Sequence, residues 1–123
     1  MRACDWQVCP TVTSDSVLAE ESLFVVRDWL PAAWEGVNVS VPVRAAHGAP
    51  VSWVDVSIRR VASGKTITVA NCPLSSLRIE AWLEGHALAA ASPPGYSVDE
   101  ADRVAWSWEG RDGARGASVT LTW

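Results

Sequence analysis

From Val37 to Trp123, apolar residues recur at every second position in one segment after another. In "VNVSVPVR", Val37, Val39, Val41 and Val43 alternate with Asn38, Ser40, Pro42 and Arg44. Successive side chains of a strand point to opposite faces, so such a stretch has one dry side and one wet side. "VSWVDVSIRR" sets Val54, Val56 and Ile58 against Asp55, Ser57 and Arg59, and "KTITVA" repeats the period with Ile67 and Val69. "SLRIEAWLEG" places Leu77, Ile79, Ala81 and Leu83 opposite Ser76, Arg78, Glu80 and Trp82, so Trp82 falls on the polar side. Pro42 cannot donate to a ladder, which points to an edge strand or a bulge. The closing stretch "VAWSWEGRDGARGASVTLTW" reads as a hairpin with a glycine-rich tip. Val104, Trp106 and Trp108 share one face of its first strand, and Val119, Leu121 and Trp123 one face of its second.

Ahead of Val37 the period is different. Residues 1–13 read as an irregular arm. "SDSVLAEESLFVVRDWLP" then has helical spacing in Val17, Leu18, Leu23, Phe24, Val26 and Leu30, with Asp15 or Ser16 as N-cap and Pro31 as a stop. A helix is therefore expected over 15–30, followed by a mainly antiparallel sheet over 37–123. Within that sheet, "HALAAAS" suggests a helical turn or two, and "SVDE" matches a capping box that opens a short helix through Arg103. The 123 residues fit one domain around one core. The expected fold class is α+β, mainly antiparallel β with one N-terminal amphipathic helix; the alternative is an all-β sandwich or barrel.

Six such strands make a broad apolar face. A helix of about fifteen residues is roughly 22 Å long and covers two or three strands at their spacing of about 4.8 Å. Either the sheet folds over on itself or another subunit lies against it. The tryptophans bear on this choice. Trp106, Trp108 and Trp123 sit on the apolar side, as core or interface residues, while Trp6, Trp53 and Trp82 are left over as contact or stacking candidates. Arg111 and Arg115, on the hairpin tip, could meet a carboxylate patch or a phosphate. These eight residues form the candidate interface.

The balance of 10 basic and 14 acidic residues gives a net charge of -4, spread along the chain, which argues against nucleic acid or an anionic membrane as a partner. The longest strongly apolar run, "LFVV", is far short of the roughly 20 residues that cross a bilayer. The opening "MRACDWQVCP" does not resemble a secretory signal, and the chain reads as soluble and made inside a cell. Cys4, Cys9 and Cys72 are an odd count, at odds with a disulfide framework, and read as reduced thiols rather than zinc ligands. No phosphate loop, nucleophile elbow or H-E-x-x-H pattern occurs, and His47 and His86 stand in loop contexts. No catalytic residue, no metal and no cofactor are expected.

The order helix, "VNVSVPVR", "VSWVDVSIRR" and "TITVANCPLSSLRIEAWLEG" resembles, in layout over residues 16–92, the small α+β virion proteins of tailed bacteriophages, the tail terminators most of all, with other neck, tail or capsid-decorating components as alternatives. That resemblance implies a non-enzymatic subunit of a ring or lattice, with other copies of itself and other virion proteins as partners and the virion, assembled in the host cytoplasm, as its location. The alternative is a carbohydrate-binding β-sandwich module that uses Trp82 or Trp53 as a stacking platform for a sugar.

Overall fold

The computed structural model describes residues 8–10, 23–31, 33–44, 48, 50–74, 76–99, 102–109 and 115–123. They form β1 (Val8–Pro10), β2 (Leu23–Arg27), β3 (Gly36–Arg44), β4 (Val51–Val61), β5 (Gly64–Cys72), β6 (Ser76–Trp82), β7 (Ala90–Ser92), β8 (Ser97–Asp99), β9 (Arg103–Trp108) and β10 (Arg115–Thr122). The strands make two five-stranded sheets, the first in the order β1-β2-β6-β9-β8 and the second in the order β3-β4-β5-β10-β7. All neighbours are antiparallel except β2 and β6, which run parallel.

The α+β expectation is overturned, because there is no helix among the described residues. The second half of the expected helix over 15–30 is strand β2 and the loop that follows it; residues 15–22 lie outside the described residues. The physical reason is burial on both sides of the strand. Phe24 and Val26 face the core, yet Val25, on the opposite face, is only 3% exposed. A strand next to a parallel neighbour and covered on both faces needs a continuous apolar run, and "LFVV" at that length satisfies helical spacing equally well. Three further expectations fail in the same direction. Residues 8–10 of the arm pair with β2, "HALAAAS" ends in β7, and "SVD" is β8.

The terminal segment does not pair as a hairpin. β9 belongs to the first sheet, against β6 and β8, and β10 to the second, between β5 and β7. The apolar faces read from the sequence nevertheless meet, because the two sheets lie against each other. Leu77, Ile79 and Ala81 of β6, with Val104 and Trp106 of β9, join Val54, Val56 and Ile58 of β4, Ile67 and Val69 of β5, and Val119 and Leu121 of β10 in one core. Each fully buried aliphatic side chain contributes about 1.5–3 kcal/mol relative to exposure. Trp106 buries its ring and donates its indole Nε1–H to the Pro93 carbonyl at 2.8 Å, so its polar atom is paired as well. The broad apolar face is thus covered by the chain's own second layer. The mismatch between sheet and helical lid does not arise.

β3 is an edge strand of the second sheet, as Pro42 suggests. The Arg60 N–H donates to the Glu35 carbonyl at 2.7 Å, and Gly36 lies opposite Arg59. Bonded and non-bonded pairs alternate along an antiparallel ladder, so Pro42, opposite Trp53, falls in a non-bonded pair. The nitrogen without a hydrogen therefore points away from the sheet, where no bond is lost.

Candidate functional site: a charge-pinned aromatic loop

Strand direction brings several segments to one end of the sandwich. β2 and β6 run parallel and finish there, β9 begins there, and in the second sheet β4 and β10 finish and β5 begins there. Gly64 makes the close approach possible. A Cβ at Gly64 would stand 2.0 Å from the Leu121 carbonyl oxygen, so only glycine lets β5 begin this near β10.

The next residue, Lys65, lies in phase with Ile67 and Val69 and so points between the sheets. Its side chain is fully buried. Its ammonium donates to the Asp28 carboxylate, to Glu84 Oε2 at 2.6 Å and to the Trp82 carbonyl at 3.0 Å, which uses all three of its hydrogens. Asp28, also fully buried, accepts the Leu30 N–H at 2.9 Å and the Trp82 N–H at 3.0 Å. Arg60 completes the cluster by donating to Glu84 Oε2 through Nε at 3.1 Å and Nη2 at 2.8 Å. Within this cluster the buried Lys65 and the half-buried Arg60 meet the buried Asp28 and the half-buried Glu84. Burial pushes the Glu84 carboxyl up, but hydrogen bonds from Arg60 and Lys65 and their charges outweigh it and leave the group below its ordinary value.

The cluster holds the loop between β2 and β3. Arg60 donates to the carbonyls of Leu30 at 3.4 Å, Pro31 at 3.4 Å and Trp34, while the Trp34 N–H donates to the Pro31 carbonyl at 3.0 Å. Arg103 Nη1 donates to the Asp28 carbonyl at 3.0 Å. The Arg103 guanidinium lies 3.9 Å from the centre of the Trp29 ring, which in turn tilts against Trp82 at 6.1 Å. Arg103 Nη2 is buried without a partner among the described residues. Burial lowers the Arg103 guanidinium from its ordinary value, against the pull of Asp28 and Glu80. On this fixed backbone Trp29 is 46% exposed and Trp34 44% exposed.

The residues singled out from the sequence are scattered. Trp82 is half-buried beside Trp29, and Trp123, at the same end of the sandwich, stacks on His86 at 4.5 Å. Trp106 is core, Trp108 packs half-buried against it, and Trp53 is exposed on the outer face of β4. Trp6 and Arg111 lie outside the described residues, as does the side chain of Arg115, whose backbone opens β10. Trp29, Trp34, Asp28, Arg60, Lys65, Glu84 and Arg103 were not anticipated. Lys65 carried a readable signal, since the period of two puts it on the same face as Ile67 and Val69. Trp29 and Trp34 carried none, because their exposure depends on the loop's path. No protein-family model, no curated protein and no solved structure matches the chain.

Proposed function

We propose that this chain is a non-catalytic docking domain that joins a larger assembly by seating Trp29 and Trp34 against a partner protein. One observation carries the reading: two exposed tryptophans stand on a loop whose backbone is held by the buried Asp28 and Arg103 and the half-buried Arg60. A buried ion cluster adds little stability over apolar residues of the same shape; what it supplies is position. A loop already held in place loses little entropy on binding, and tryptophan is enriched among the residues that dominate binding energy. Covering the exposed parts of both rings removes on the order of 200 Å² from water, about 5 kcal/mol. Asp28, Glu80 and Glu84 are all engaged in ion pairs, which supports a structural use of these carboxylates over acid–base chemistry.

The virion reading of the sequence leaned on an N-terminal helix and on an uncovered apolar face. This proposal rests on neither and retains only the idea of a subunit that works by contact. Its test is site-specific photocrosslinking in the producing cell. A photoreactive residue at Trp34 should give one dominant protein adduct that disappears in Trp29→Ser, while the same residue at Ser57, on the second sheet, should not give it. Equal labelling from both positions, or none from Trp34, would overturn the reading.

A further inference from the structure

The outer face of the second sheet carries a separate site. Alternation turns Trp53, Asp55 and Ser57 of β4 outward, with Asn38, Ser40 and Pro42 of β3 on one side and Thr68 and Ala70 of β5 on the other. Trp53 is 58% exposed, the most open of the large apolar side chains among the described residues. Two residues further along the same strand, about 7 Å away, Asp55 is oriented from two directions. The Ser40 hydroxyl donates to Oδ1 at 2.7 Å, and the Asn71 amide donates to Oδ2 at 3.4 Å. Asn71 reaches it from a left-handed backbone conformation, φ 65°, which asparagine tolerates better than most residues. Beside these groups runs a shallow groove of about 300 Å³, lined by Asn38, Ser40, Asp55, Ser57, Thr68 and Ala70.

We infer that this face binds a neutral saccharide chain. A sugar ring has an apolar C–H face that stacks on an exposed indole and an equatorial belt of hydroxyls that both donate and accept. The face offers both halves side by side. Trp53 supplies the ring surface. The Asp55 carboxylate has about four acceptor positions, of which two are taken by Ser40 and Asn71, so sugar hydroxyls can donate to the remainder. The Asn38 amide and the Thr68 and Ser57 hydroxyls add donors and acceptors within the groove. Ala70 keeps the floor low where a larger side chain would fill it. The volume is at the small end of ligand sites, which suits one or two rings of a longer chain lying across the strands. This inference goes beyond the docking proposal and uses a different surface, so either can fail alone.

The test uses the whole chain, labelled with nitrogen-15 and titrated with cellohexaose, maltohexaose and chitohexaose. At least one sugar should shift the Trp53 indole N–H and the Asn38 and Asn71 side-chain amides in a saturable way. Trp53→Ala should weaken that binding at least tenfold and Asp55→Asn several-fold, while Trp53→Tyr keeps part of it and Trp29→Ser leaves it unchanged. Spectra of each variant report whether the fold is intact; Trp53 is a surface residue, and its removal opens no cavity. No shift at millimolar concentration with any of the three sugars, shifts confined to Trp29 and Trp34, or an affinity indifferent to Trp53→Ala would overturn the inference.

Discussion

Lys65 of the second sheet and Asp28, just past the end of β2 in the first, form an ion pair with both side chains fully buried. Their bond crosses the gap between the layers at the end of the sandwich where the aromatic loop lies. A charge left without its partner in such a place is far more costly than the pair itself. Lys65→Met should therefore lower stability by about 3–5 kcal/mol. Adding Asp28→Asn to it should cost less than the sum of the two single changes. Urea unfolding of the double-mutant cycle measures this, and additive effects would mean that the two residues are not coupled.

Acid should loosen the same end of the molecule. Burial raises Glu84, but Arg60 and Lys65 more than offset it; burial raises Glu80, but Arg78 and Arg27 do the same, so both carboxyls sit below their ordinary value of 4.5. The native state then keeps these charges at a pH where the unfolded chain has begun to take up protons. The stabilisation is whole above about pH 4.5 and is lost as pH falls through the lower native values. Thermal melts between pH 7 and pH 3 should show a flat upper limb and an acid decline, with a shallower decline in Glu84→Gln.

At Gly64 a methyl group has nowhere to go, since the obstacle is the Leu121 carbonyl and not a side chain that can swing aside. Gly64→Ala should cost about 1–3 kcal/mol, in the range of overpacked cores. It should also disturb the backbone amides of Lys65 and Thr122, which are readable by nuclear magnetic resonance. An unchanged melting temperature would refute the close approach.

The tryptophans should separate by position. Trp106→Ala removes a buried ring and its bond to Pro93, and should cost about 3–5 kcal/mol. Trp53→Thr should change stability by no more than about 0.5 kcal/mol, because the Trp53 ring is exposed on the outer face of β4. Chemical denaturation of the two variants distinguishes a core ring from a surface ring.

Much of the interior was legible because one physical rule governed it. Val54, Val56, Ile58, Ile67, Val69, Leu77, Ile79, Ala81, Val104, Trp106, Val119 and Leu121, which the period of two assigns to the dry side, are buried, while Trp108 and Trp123 on the same faces are half-buried. The rule fails where a strand has two dry sides. Val25 and Val26 are both buried, alternation vanishes, and the run passes for a helix face. Pairing is a second blind spot, since face assignments are local and strand order is not. β9 and β10 are adjacent in sequence yet belong to different layers. The candidate site was the least legible part. It is assembled from Asp28, Arg60, Lys65, Glu84 and Arg103, which lie on five separate stretches of sequence.

β10 occupies an interior place in the second sheet, between β5 and β7, although both of those strands precede it in the chain. The slot for it must stay open while residues 64–92 are already present, so that layer cannot close during synthesis until residue 122 has emerged. Until then the β5 edge of the β3-β4-β5 ladder lacks its partner, and β7, whose neighbour in the sheet is β10, has none.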